Sequence, residues 1–233
     1  MKTTTTSFVF ALLLSSLSLG SSNINICDRG LIGNEIAKAT QADSCESVSV
    51  EQMAHLDRLD LGYSELTAIP ANAFDGLDSL IWLDLYNNKL TVLPEGIFDH
   101  LVHLEFLGLS NNALTNVDKN MFAKLTALQT LELQSNQISK IEDNSFSHQT
   151  NLVTLRLSQN KIAQASKNTF AGLILMDWLD LKANFLPAVA DKTFEGLETL
   201  RWLDLGDNSF YSISRAQAGL RDAIEISGIQ VTP

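Results

Sequence analysis

Apolar residues recur at a constant interval of 24 residues along most of the chain. A leucine or methionine begins each repeat, at positions 56, 80, 104, 128, 152, 176 and 200. Further apolar positions follow three, five and ten residues later, so that one repeat contains Leu80, Leu83, Leu85 and Leu90. The alternation around Leu83 and Leu85 predicts a short strand with one buried face. Seven repeats therefore predict about seven stacked coils whose strands pair in parallel.

Two further columns keep the same interval without a slip. The first consists of Phe74, Phe98, Phe122, Phe146, Phe170 and Phe194, and the second of Asn88, Asn112, Asn136, Asn160, Asn184 and Asn208. Asparagine carries both donors and an acceptor, so it can satisfy backbone groups in the tight turn that follows each strand. The phenylalanines are predicted to stack as a spine under the convex side. Both columns are interpreted as structural.

These columns resemble the typical leucine-rich repeat, LxxLxLxxNxLxxLPxxxFxxL, over residues 56–213. The resemblance implies an α/β solenoid, a right-handed horseshoe with a parallel sheet on its concave side, about seven coils and a helical N-terminal cap. The pattern degrades in places, since Ser64 stands in the asparagine column and Gln149 replaces a leucine. Ala218 stands in the phenylalanine column, as expected of a terminal, capping coil.

The two ends of the chain depart from the repeat. Residues 23–55 are predicted to form an N-terminal cap of two short helices, the second beginning at a capping box of Ser49 and Gln52. This cap resembles those of bacterial secreted, internalin-like repeat proteins. Residues 214–233 are predicted to form a C-terminal cap with a helix from Ser214 to Ile226.

Residues 1–22 are predicted to be a secretory signal peptide, because a basic start precedes an apolar stretch and small residues. The stretch is shorter than the ~20 residues that span a bilayer, so membrane insertion is not expected. The mature protein is predicted to be secreted and extracellular, or periplasmic if the source is bacterial. In an exported protein Cys27 and Cys45 are expected to form a disulfide, the alternative being two free thiols.

Aromatic residues concentrate on strand positions that the resemblance places on the concave face. Trp82, Phe106, Trp178 and Trp202 occupy one column, which contains every tryptophan of the protein. Tyr63 and Tyr86 fall on other concave positions. Exposed tryptophan and tyrosine side chains are favoured hot spots of protein interfaces. The aromatic residues are therefore candidate partner-binding residues.

Acidic residues form a parallel column on the same face. Asp60 and Asp84 are expected to lie side by side, as are Asp180 and Asp204. Like-charged neighbours on a sheet destabilise it, so a partner or a cation such as calcium is one explanation. The alternative is that the Leu-Asp-Leu sequence belongs to the repeat itself. Over all concave positions nine acids oppose four bases, which favours a basic or amphipathic protein partner.

The function indicated is protein–protein recognition through the concave face, in an adhesin-like or receptor-like module. The net charge of −11 argues against nucleic-acid partners. No catalytic motif appears, so the protein is not expected to be an enzyme, to carry a cofactor or to hold a catalytic metal. Two alternatives remain: a self-associating structural or matrix protein, and a carbohydrate-binding module in which aromatic rings stack on sugars.

Overall fold

A computed structural model of the protein describes residues 26–232, which begin with the N-terminal cap. The predicted signal peptide and the first residues of the predicted cap lie outside the described residues. The cap contains helices α1 (Leu31–Ala39) and α2 (Val50–Ala54), with 3-10 turns at Ile26–Arg29 and Cys45–Ser47. None of the helices in residues 26–232 is long and apolar enough to cross a membrane.

The predicted capping box is confirmed at the start of α2. The Ser49 side chain accepts a hydrogen bond from the Gln52 amide at 3.1 Å, and Gln52 Oε1 accepts one from the Ser49 amide at 2.8 Å. A disulfide joins Cys27 to Cys45, whose Cα atoms lie 5.2 Å apart. The disulfide therefore ties the 3-10 turn that precedes α1 to the turn that precedes α2.

Arg29 attaches the cap to the first coil, a role that the sequence pattern does not reveal. Its side chain is buried and donates hydrogen bonds to the carbonyl oxygens of Ala73 at 3.0 Å and Asp75 at 2.8 Å. Burial lowers the pKa of this guanidinium, although the negative charge of Asp75 opposes the shift. The cap thus contacts the convex side of the repeats through a buried charged group.

Within residues 26–232, eight short strands form one parallel sheet, which we call the concave sheet. In order across it they are β1 (Arg58–Asp60), β2 (Trp82–Asp84), β3 (Phe106–Gly108), β5 (Thr130–Glu132), β7 (Thr154–Arg156), β8 (Trp178–Asp180), β9 (Trp202–Asp204) and β11 (Glu225–Ser227). Two further parallel pairs lie outside it, β4 (Asn116–Val117) with β6 (Lys140–Ile141) and β10 (Ser212–Ser214) with β12 (Gln230–Thr232). The predicted parallel-sheet solenoid of about seven turns is confirmed, and helix is confined to the ends of the described chain.

The asparagine column satisfies backbone groups as predicted, and it also links successive coils. Asn136 Oδ1 accepts a hydrogen bond from the Leu114 amide at 3.0 Å, in the preceding coil. Its Nδ2 donates to the Leu109 carbonyl of that coil at 2.9 Å and to the Leu133 carbonyl of its own at 3.1 Å. Each asparagine therefore stabilises the stacking of two coils as well as its own turn.

The phenylalanine column forms the predicted spine. Ring centroids of stacked neighbours lie 6.1 Å apart for Phe74 and Phe98, 6.2 Å for Phe98 and Phe122, 6.5 Å for Phe122 and Phe146, and 5.8 Å for Phe170 and Phe194. All six rings are buried. The core consequently runs along the solenoid between this spine and the leucines of the concave sheet.

The predicted C-terminal helix is wrong beyond its first turn. Helix α3 covers only Arg215–Ala218 and ends at Gly219, whose φ of 75° places it in the left-handed conformation that closes helices. Ala218, Leu220 and Ile224 are buried, whereas Ala223, which a helix would also have turned inward, is exposed. The chain then extends as β11, which pairs with β9 and adds an eighth strand to the concave sheet.

Replacing Gln149 by leucine is expected to stabilise the fold. Gln149 is fully buried, donates through Nε2 to the Phe122 carbonyl at 2.6 Å, and leaves Oε1 without a hydrogen-bond partner. An unpaired buried acceptor costs about 1–3 kcal/mol, so Gln149→Leu should raise the free energy of unfolding by roughly 1 kcal/mol or more. Urea denaturation of both proteins measures the change, and a lowered midpoint would contradict the expectation.

Candidate partner-binding face

The concave sheet brings together the two aromatic pairs that the sequence predicts as neighbours. Trp82 on β2 is in register with Phe106 on β3, and their stacked rings have centroids 5.0 Å apart. Trp178 on β8 is in register with Trp202 on β9, with stacked centroids 5.8 Å apart. Thr130 and Thr154 occupy the same column between the pairs. The face thus carries two separate aromatic clusters.

The two clusters differ in how far the protein itself covers them. The guanidinium carbon of Arg58 lies 3.4 Å from the centroid of the Trp82 ring, so this cation covers one face of the N-terminal cluster. At the C-terminal cluster, the guanidinium carbon of Arg156 lies 6.0 Å from the centroid of the Trp178 ring, too far to cover it closely. Trp178 and Trp202 remain 43% and 41% exposed. The C-terminal pair is therefore the more accessible aromatic surface.

Tyr63 and Tyr86 form a third pair of contacting aromatic rings, at the N-terminal end of the sheet. Their rings meet edge to face with centroids 4.8 Å apart. Tyr63 has a φ of 54°, in the left-handed region that non-glycine residues rarely adopt. A Cβ at Gly62 would lie 2.2 Å from Tyr86 Cε1, so glycine is needed for this close approach. The predicted aromatic residues therefore all lie on one side of the sheet or at its edge.

The four predicted acids lie in register as expected, Asp60 beside Asp84 and Asp180 beside Asp204. Each also has a structural role that the charge pattern does not reveal. Their Oδ1 atoms accept hydrogen bonds of 2.9–3.0 Å from the backbone amides two residues later, those of Gly62, Tyr86, Lys182 and Gly206. The column therefore stabilises the turn after each strand, which supports its interpretation as part of the repeat.

The pKa of Asp84 is raised above its ordinary value. Burial raises its pKa, and the negative charges of Asp60 and Glu132 act in the same direction, whereas the hydrogen bond from the Tyr86 amide opposes them. Gly108 provides the space for this side chain, because a Cβ there would lie 2.4 Å from Asp84 Oδ1. No group of three or more potential metal-binding side chains occurs within residues 26–232.

Basic residues of the concave face are largely engaged with acids on neighbouring coils. Arg156 pairs with Glu132 at 3.1 Å, and Lys182 with Asp207 at 3.6 Å. Arg201 makes two hydrogen bonds to the carboxylate of Asp177, and this contact lowers the pKa of Asp177. In contrast, no basic side chain of residues 26–232 lies within 4.0 Å of the carboxylates of Asp180 and Asp204.

One residue of this face, Glu225, was missed by the sequence pattern. It lies on β11 in register with Trp202, at the C-terminal end of the sheet. The repeat interval does not find it, because that interval would place Ile226 in register with Trp202, and the final coil is one residue shorter. The polar–apolar–polar alternation of Glu225, Ile226 and Ser227 was the signal that the sequence offered.

The comparisons with known proteins agree with this architecture. The leucine rich repeat family model matches residues 54–114, 82–138, 107–162 and 126–186, together more than half of the chain. Among curated proteins, none matches the sequence significantly. A chain in the structure of the Drosophila Toll–Spatzle complex is 25% identical with a TM-score of 0.62; the match covers 71% of this chain and 24% of that chain.

A second similar structure is a leucine-rich repeat protein of Leptospira interrogans, 26% identical with a TM-score of 0.60. This match covers 78% of the present chain and 52% of the Leptospira chain. The chain thus spans about a quarter of the Drosophila chain and about half of the Leptospira one. The residues matched by the family model, the repeat columns and the solenoid establish that the chain belongs to the leucine-rich repeat family.

Proposed function

We propose that this protein is a secreted recognition module, adhesin-like or receptor-like, that binds another protein through the concave sheet. The observation that carries the proposal is the stacked pair of Trp178 and Trp202, each more than two-fifths exposed on an open sheet. Exposed aromatic side chains are costly for an isolated protein and are favoured anchors of protein interfaces. Leucine-rich-repeat folds commonly mediate protein–protein recognition, and the Drosophila structure is a complex with Spatzle.

Export is supported by two features of the N-terminal region. The disulfide between Cys27 and Cys45 is typical of proteins that fold in an oxidising compartment. The predicted signal peptide would direct the chain there. Fractionation of the source cells tests whether the protein is released into the medium or retained in a periplasm.

Substituting Trp82, Trp178 and Trp202 together by alanine is expected to weaken partner capture strongly. The measurement is a cross-linking pull-down with the mature protein, this triple variant and a Tyr211→Ala control. Tyr211 is 89% exposed and lies outside the strands of the concave sheet, so its loss removes an exposed aromatic ring from a different surface. Capture by the triple variant should fall at least about tenfold, because truncating interface hot spots costs about 2 kcal/mol or more each.

The same experiment separates the alternatives. Equal capture by the wild-type protein and a folded triple variant would move the site away from the concave aromatic residues. Self-association is measured by light scattering at micromolar concentration, where a monomer contradicts a matrix role. Binding to a glycan array that is lost in the triple variant would instead favour carbohydrate recognition over protein recognition.

A further inference from the structure

The protein contains an internal example of cation recognition at the N-terminal end of the concave sheet. Arg58 on β1 is in register with Trp82 on β2, and its guanidinium covers the indole ring at 3.4 Å. Asp60 and Asp84 lie two residues further along the same strands, on the same face of the sheet. A planar guanidinium is suited both to stacking on an indole ring and to hydrogen bonding with carboxylates.

The C-terminal end of the sheet repeats the aromatic and acidic parts of this arrangement, but its nearest cation, Arg156, lies at 6.0 Å from Trp178 and not on Trp202. Trp202 stacks on Trp178 on one side, and its neighbour on the other side is Glu225 of β11. Asp204 lies two residues along the strand from Trp202, beside Asp180. Glu225 therefore lies on the strand next to Trp202, about 4.8 Å away, and Asp204 lies on the Trp202 strand itself, on the same face of the sheet.

The acids at this end form no salt bridge within the described part of the chain. No basic side chain of residues 26–232 lies within 4.0 Å of the carboxylates of Asp180, Asp204 or Glu225. The bases near these acids in sequence have other partners. Arg201 pairs with Asp177, Lys182 pairs with Asp207, and Arg221 donates a hydrogen bond to the Leu200 carbonyl at 3.3 Å. An acidic, exposed aromatic surface of this kind is complementary to a basic partner segment.

We propose that Trp202, Asp204 and Glu225 form a receptor site for an arginine side chain of a basic polypeptide segment. The guanidinium stacks on the open side of Trp202 and donates hydrogen bonds to the two carboxylates, as Arg58 stacks on Trp82 within the protein itself. Arginine fits better than lysine, because the ammonium group is a compact, strongly hydrated point charge without a planar face. This inference rests on the proposed function and names the chemistry of the partner.

The test uses fluorescein-labelled, capped Gly-Ser peptides that carry three residues of arginine, lysine or the neutral isostere citrulline. Fluorescence anisotropy of each peptide is measured against the wild-type protein and the Trp202→Ala, Glu225→Gln and Glu198→Gln variants. Glu198 is an exposed acid in the turn before β9, so Glu198→Gln matches the charge change of Glu225→Gln away from the site. The arginine peptide should bind at least about tenfold more tightly than the citrulline peptide.

The Trp202→Ala and Glu225→Gln variants should each weaken arginine-peptide binding about tenfold, while Glu198→Gln leaves it unchanged. Equal binding of the arginine and citrulline peptides, or of the arginine and lysine peptides, would overturn the inference. An equal loss with Glu198→Gln would also overturn it, since net charge alone would then explain binding. A protein partner that is lost by the triple tryptophan variant but fully captured by Glu225→Gln would sink this inference and leave the proposed function standing.

Discussion

Replacing Phe122 by alanine is expected to lower the free energy of unfolding by about 3–5 kcal/mol. The ring is fully buried and stacks between Phe98 and Phe146, with centroid distances of 6.2 and 6.5 Å. Truncation removes apolar burial and leaves a cavity in the middle of the spine. Because each coil packs only on its neighbours, the cavity also weakens the coupling between the two halves of the solenoid.

The matched control is the same substitution at Phe185, whose side chain is 57% exposed and lies outside the phenylalanine column. Phe185→Ala should change the free energy of unfolding by no more than about 0.5 kcal/mol. Urea denaturation followed by circular dichroism measures both variants. A loss of less than about 1 kcal/mol for Phe122→Ala would contradict a stabilising role for the stacked phenylalanines.

Breaking the disulfide is the second change with a large expected effect. The Cys27–Cys45 bond closes a loop with a sequence separation of 18 residues. In the chain-entropy model such a loop stabilises the folded state by roughly 3 kcal/mol. The double variant Cys27→Ala/Cys45→Ala should therefore unfold at a clearly lower urea concentration than the oxidised wild-type protein.

Reduction of the wild-type protein with dithiothreitol provides the control for the disulfide. Reduced wild-type and double-variant proteins should unfold at about the same urea concentration, since both lack the bond. Dithiothreitol should have no effect on the variant. Coincident transitions of the oxidised and reduced wild-type protein would contradict a stabilising role for the disulfide in the cap.

The repeat architecture could be predicted from the sequence because its physical requirements recur in each coil. Buried leucines, the asparagine that satisfies turn amides and the stacked phenylalanine all return at the same interval, so one coil predicts the next. The capping box of Ser49 and Gln52 is likewise a local pattern with a local cause. The same periodicity identified which aromatic and acidic residues share the concave face.

Features that depend on a single contact could not be predicted in this way. The final coil is one residue shorter than the others, and this difference concealed both the eighth strand and Glu225. The covering of Trp82 by Arg58 depends on a side-chain conformation that the columns do not encode. Arg29 bonds to the carbonyl groups of Ala73 and Asp75, which are distant in sequence, and such a pairing leaves no local signal.

A protein partner bound as proposed covers the aromatic column of the concave sheet. Hydroxyl-radical footprinting of the captured complex, read by mass spectrometry, measures the oxidation of each exposed aromatic side chain with and without the partner. We predict that oxidation of Trp178 and Trp202 falls sharply on binding, while that of Tyr211 is unchanged. Unchanged oxidation of both tryptophans in a complex that protects Tyr211 would contradict the account.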